Sequence, residues 1–328
     1  MISHRRNASQ TLLAIPVLCL RLLGCSSDDG ASSNATGGSA AAYNGGATGG
    51  PTSAGGAGNR GGAANQTCTM GDSNCFSFFV ASRTRLFALA QAFNGSTSGW
   101  GGDFRYGTGN GLTGADQICT EIAEASLPGN GKTWRAFLST STVNAIDRVG
   151  AGPWYDRLNR PIASNLTELV EARPGGITDA TILNNLPNED GTPHHNEEAG
   201  CSNLNQCADN HDILTGSDTD GRLCTSSTCS GMGGGMPGGG GGTTVTDWTC
   251  SDWTSAAKTP GSQPRVGHTW PTGGGSMGGG DDWISVLNEG GCLPGYNLEQ
   301  TGAADPNVGT VGSGGGYGAI YCLATSPY

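Results

Sequence analysis

Charge is the first thing this chain lacks. Only 13% of its residues are charged, about half the usual share for a globular protein. Basic residues are scarcer still, 16 against 27 acids for a net charge of −11. That balance excludes nucleic acids and other polyanions as natural partners, because both need basic patches. No segment beyond Leu23 is apolar enough to span a bilayer, which excludes a further membrane-spanning helix. Histidine is rare, with none between His4 and His194, so the first half of the chain cannot build an imidazole-based metal site. In place of these stand 59 glycines and 12 cysteines.

The N-terminus assigns the compartment. His4, Arg5 and Arg6 precede an apolar run from Leu12 to Leu23 that ends in "LLGC", Leu22 to Cys25. A basic stretch, a short apolar stretch and a small residue before cysteine read as an export signal. The quartet resembles the lipobox of bacterial lipoproteins. The resemblance implies a signal peptide over 1–24, a lipidated Cys25 and anchorage in a bacterial cell envelope, at the outer membrane or cell surface. Processing would leave a mature net charge of −14, since Arg5, Arg6 and Arg21 and no acid lie in the signal. Outside the cytoplasm disulfides persist. Setting aside Cys19 and Cys25 leaves an even number of cysteines, whose connectivity the spacing alone leaves open.

Residues 25–75 are mostly Gly, Ala, Ser, Thr and Asn, with too little apolar surface to offset the entropy of folding; they read as a flexible tether. Cys68 and Cys75, at close spacing, suit a local disulfide. The globular part is placed at 76–328. "FSFFVAS" (76–82), "TWRAFLS" (133–139), "DWTCSDWTS" (247–255), "RVGHTW" (265–270) and "GYGAIYCLA" (316–324) read as strands or strand ends. The near-pure glycine tracts at 231–243 and 271–280 read as insertions. Little helix, short strands and irregular connections give an α+β class stapled by disulfides.

One helix is clear. In "GLTGADQICTEIAEA" (111–125), Thr113 and Asp116 fit a capping box, and Ala115, Ile118, Cys119, Ile122 and Ala123 share a face. Asp116 falls with the polar residues on the other side. Cys119 therefore points inward, as a buried hydrophobe, a thiol, a ligand or half of a disulfide.

Several segments in order carry a family resemblance. They are "GLTGADQIC" (111–119), "WRAFLS" (134–139), "DRLNRPIASNLTEL" (156–169), "TGSDTDGRL" (215–223), "CSDWTS" (250–255), "GC" (291–292) and "AIYC" (319–322). Together they resemble the endostatin-like domain of collagens and its bacterial lipoprotein relatives, a branch of the C-type-lectin-like fold. The resemblance implies disulfides Cys119–Cys322 and Cys250–Cys292. It leaves Cys201, Cys207, Cys224 and Cys229 open for local pairing. The zinc histidines of the animal domain have no counterpart here, and its heparin-binding arginine face is contradicted by the acidic balance.

Three motifs hold candidate chemistry. "GHTWP" (267–271) places His268 as a hydrolase histidine, but the accompanying "GGSMG" (274–278), with Ser276, has neither the strand before nor the helix after that a nucleophile elbow needs. His268 then reads as a loop residue. "NEDGTPHHNEE" (188–198) offers His194 and His195 among Glu189, Asp190, Glu197 and Glu198, a donor set suited to a divalent metal or simply a solvated loop. "SDTDG" (217–221) offers Asp218 and Asp220 as calcium ligands or as a tight turn with Gly221 at positive φ. Among seven tryptophans most read as core, and Trp100, between Gly99 and Gly101, is the ring placed to face a ligand. The chain is thus expected to be a lipid-anchored, non-catalytic recognition or adhesion module for a glycan or protein, without a required cofactor. A secreted serine hydrolase using His268 and a structural envelope protein are the alternatives.

Overall fold

The computed structural model describes residues 75–194, 210–229, 244–270, 282–298 and 309–326. The expected signal, the expected lipid site Cys25, the expected tether up to residue 74, Cys68, His195, Cys201, Cys207, Ser276 and both glycine tracts lie outside the described residues. Among those described, no helix is long and apolar enough to cross a membrane.

The domain is mixed α+β, organised around its last strand. β8 (Gly316–Ala324) is buried along its whole length. It pairs antiparallel with β1 (Phe78–Val80) on one edge. On the other edge it pairs antiparallel with β2 (Trp134–Ala136) and parallel with β5 (Asp212–Leu214). From β5 the sheet continues through β6 (Arg265–His268) to β7 (Leu287–Asn288). A separate hairpin joins β3 (Trp154–Tyr155) to β4 (Pro161–Ala163). Two longer helices are α1 (Arg83–Asn94) and α2 (Gly111–Ser126); α3 (Leu166–Leu169) and α4 (Ala180–Leu183) are single turns.

Aromatic rings fill the core between these elements. Phe76 and Phe79 lie 4.9 and 5.1 Å from Trp134, and Trp283 lies 4.8 Å from Tyr321 and 5.1 Å from Phe137. All seven tryptophans are buried. Each fully buried ring of this size removes enough apolar area to outweigh several surface contacts.

Three disulfides are resolved at both ends. Cys119 on α2 bonds to Cys322 on β8, Cys250 to Cys292, and Cys224 to Cys229. Cys75 is also disulfide-bonded. Such bonds belong to an oxidising or extracellular environment.

Three local expectations need correction, and the structure adds one helix. The cap of α2 is Asn110, whose Oδ1 accepts from Thr113 N at 3.0 Å, so the helix begins before the Thr113 box. Asp116 is buried on the inner side, where Arg135 Nη1 donates to it at 2.8 Å, Arg148 Nη2 at 2.7 and 2.8 Å, and Ala136 N at 3.0 Å. Residues 83–94 form α1, started by Ser82 and ended at Gly95 with φ of 77°. Finally, Cys250–Trp253 is not a strand but a left-handed turn, with φ between 51° and 62° at four successive non-glycine residues.

Candidate functional site

Two places in the domain concentrate chemistry. The first is a buried polar cluster across the β5–β6 pair. The antiparallel register sets Asp212 opposite His268. The peptide amide of Thr269 donates to His211 O at 2.9 Å, which locks the ends of the two strands together. Gly267 permits the close approach of the next segment, since a Cβ there would overlap the carbonyl of Trp283. Against this frame Asp212 Oδ1 lies 3.0 Å from His268 Nε2 and 3.3 Å from His211 Nε2. The two imidazole rings stand 4.2 Å apart, edge to face, with Trp270 5.3 Å from His211. All three polar residues are within 3% of complete burial.

Glu289 lies behind Asp212. Its Oε2 accepts from Ser313 Oγ and from Gly314 N, both at 2.7 Å. Burial and the neighbouring Asp212 charge push the Glu289 carboxyl well above the usual carboxylate range. Burial opposes ionisation of Asp212 too, but the imidazoles of His211 and His268 outweigh it and hold that carboxyl below its ordinary value. The cluster thus packs two imidazoles and two carboxylates into one buried space. Its donors are those of a divalent-metal set, two nitrogens and a carboxylate, with ligand atoms within 4.8 Å of one another.

The second place is an open cleft of about 400 Å³ at the C-terminal end of α1 and the glycine-rich loop after it. Phe93, Trp100 and Tyr106 form its apolar side. Phe93 is half exposed and lies over Trp100 at 5.6 Å with an interplanar angle of 29°. Asp103 and Arg105 form its polar side, with Arg105 Nε donating to Asp103 Oδ1 at 2.9 Å. The Tyr106 hydroxyl donates to Glu121 Oε2 at 2.6 Å; burial and this acceptor raise its pKa to about 12.

The structure relocates most residues singled out in the sequence. Trp100 lines the cleft but is itself 4% exposed, with Nε1 donating to Leu86 O at 3.2 Å; the exposed ring is Phe93. His268 is not a loop residue but the buried end of β6. His194 is buried rather than solvated, with Nε2 3.3 Å from the Tyr317 hydroxyl, and so does not share a site with Asp212. Glu189, from the same motif, accepts from Ser82 N and Oγ at 3.0 and 2.6 Å and so stabilises the start of α1. Asp218 Oδ1 accepts from the amides of Asp220 and Arg222 at 3.1 and 3.0 Å, and Gly221 has φ of 72°. That is the tight-turn geometry, with Asp220 exposed beside it.

Sequence reasoning missed His211, Asp212 and Glu289. The signal for the first two was local: a His-Asp pair directly before the apolar Ile213 and Leu214, at the mouth of a strand. Nothing local links them to His268 or Glu289, which only sheet pairing brings in. Comparison of the chain with known protein families and with curated proteins gives no match in either.

Proposed function

We propose that the protein is an exported, lipid-anchored recognition module whose ligand is a glycan held in the cleft of Phe93, Trp100 and Tyr106. The observation that carries this reading is the cleft itself. It sets an accessible aromatic face beside a carboxylate–guanidinium pair within a volume typical of small-ligand sites. A sugar ring presents one face of C–H bonds and a rim of hydroxyls. Phe93 suits the former; Asp103 and Arg105, with two acceptors and several donors between them, suit the latter. Loops on a rigid, disulfide-stapled frame are where binding specificity is usually placed.

The pairing of Cys119 with Cys322 and Cys250 with Cys292 supports, within this reading, an endostatin-like member of the C-type-lectin-like fold. The same disulfides agree with export, and Cys25 supplies the anchor to a bacterial outer membrane or surface. The module is non-catalytic, and it needs no cofactor at the cleft. A hydrolase reading draws on the 3.0 Å approach of Asp212 to His268. Yet two histidines converge on that carboxylate, where a triad requires one histidine between acid and nucleophile.

A glycan array probed with the mature chain, followed by calorimetry on retained glycans, tests the proposal. Phe93→Ala, at a half-exposed position, should abolish retention while leaving the unfolding midpoint unchanged. Retention that survives Phe93→Ala, or an array without any retained glycan, would overturn it.

A further inference from the structure

The buried cluster has a feature that the recognition reading does not use. No amide or hydroxyl donates to either oxygen of Asp212, although the residue is 1% exposed. Buried carboxylates ordinarily accept two or more, because the lost hydration must be replaced. Around Asp212 the neighbours at 3.0 and 3.3 Å are imidazole nitrogens rather than amides or hydroxyls. Close approach without hydrogen-bond alignment is what lone pairs directed at a common point produce. Ligand atoms about 2.0–2.1 Å from one ion sit roughly 3.0–3.4 Å from each other, as edges of an octahedron or a tetrahedron.

We propose that His211, Asp212 and His268 form a binding site for one divalent transition-metal ion, zinc best matching two imidazoles and a carboxylate. Softer ions would ask for thiolates, and here the resolved cysteines are consumed in disulfides. Hard ions such as calcium would ask for six or more oxygens, and imidazole is a poor substitute.

The frame around the three residues is of the kind that holds metal ligands still. Asp212 and His268 are cross-strand partners. The main chain of His268 is held from both sides, its N–H donating to Asp282 O at 3.0 Å and its carbonyl accepting from Arg173 Nη1 at 2.7 Å. The amide of Asp212 donates to Gly315 O at 3.1 Å. Gly314 leaves room for the carboxylate, since a Cβ there would overlap Asp212 Oδ2. Glu289, fixed by Ser313 and Gly314, stands behind Asp212 in the outer position that orients a ligating carboxylate. An ion bound here joins β5 to β6 and offsets buried negative charge. Three protein ligands leave room for water on the ion.

The test uses the mature full-length chain prepared without added metal or chelator. Elemental analysis should find one zinc per chain. Stripping with dipicolinate should lower the unfolding midpoint, and one equivalent of zinc should restore it. Cobalt(II) loaded into stripped protein should give visible d–d bands of a low-coordinate N/O site, a readout that needs no variant. His268→Gln and Asp212→Asn should weaken zinc binding by at least about 100-fold, Glu289→Gln by about 10- to 100-fold, and His194→Gln should leave it unchanged. If a variant fails to fold, the cobalt spectrum and stoichiometry of the unaltered chain decide. Folded protein without stoichiometric metal and without a zinc-dependent midpoint shift would overturn the proposal. So would a folded Asp212→Asn protein that binds zinc as tightly as the unaltered one.

Discussion

Replacing each resolved cystine with a pair of alanines should destabilise the domain in the order of the loop it closes. The three sequence separations are 203 for Cys119–Cys322, 42 for Cys250–Cys292 and 5 for Cys224–Cys229. A crosslink restricts the unfolded chain by an entropy that grows with the logarithm of loop length. On that basis the losses are about 5, about 4 and about 2 kcal/mol respectively. Cys250–Cys292 lies inside the longest loop and shortens it, but a logarithm makes that correction small. Packing adds to the first two losses, because Cys119, Cys322, Cys250 and Cys292 are all fully buried. Guanidinium unfolding followed by tryptophan fluorescence is the assay, since all seven indoles are buried in the native state. The m-value should rise for Cys119→Ala/Cys322→Ala, whose unfolded chain exposes more surface. A Cys224→Ala/Cys229→Ala protein that loses as much stability as the Cys119→Ala/Cys322→Ala protein would refute the loop argument.

Four further outcomes follow from the geometry. Asp116→Ala leaves Arg148 buried beside Arg135 without their shared carboxylate, and should cost about 3–5 kcal/mol in denaturant unfolding; a loss below about 1 kcal/mol would contradict a structural ion pair. Ser251→Gly should raise stability by roughly 1 kcal/mol, because Ser251 holds φ of 57° and ψ of 54°, where a Cβ is strained; a lower midpoint would show that the turn is not left-handed. Gly114→Ala should destabilise the domain although alanine normally favours a helix interior, since its Cβ would overlap the carbonyl of Phe104; an unchanged or raised midpoint would refute that packing. The phenol of Tyr106 should ionise near pH 12 rather than at 10.0, read as the step in absorbance at alkaline pH that Tyr106→Phe removes. Between those values the folded state keeps a proton the unfolded state has lost, so this group's contribution to stability is intact below pH 10 and declines as pH rises through 12; a removed step centred at 10 would contradict the half-buried bond to Glu121.

Local chemistry made some elements readable and left others hidden. β8 is a short run without a charged residue that carries Tyr317, Ile320, Tyr321 and Leu323, and α2 keeps one small apolar face over four turns, so both stand out locally. α1 buries only Leu86 and Ala90, and its weak stripe gave no such signal. "DWTCSDWTS" carries the composition of a strand, yet its cystine and the hydrogen bonds that Asp247 and Asp252 accept from Ser251 and Ser141 hold it in a left-handed turn. Asp116 looked like a surface acid because helical periodicity cannot foresee two arginines arriving from β2 and from residues 146–148.

The residues by themselves determined an acidic, glycine-rich chain, an α+β domain and an inward-facing Cys119. These follow from composition and short-range period, which need no partner. Only tertiary structure decided that Asp212 meets His211, His268 and Glu289 in a buried cluster, and that Trp100 is covered while Phe93 is exposed. Strand register and side-chain burial are properties of pairs far apart in the chain, and no local pattern encodes which distant segment will supply the partner.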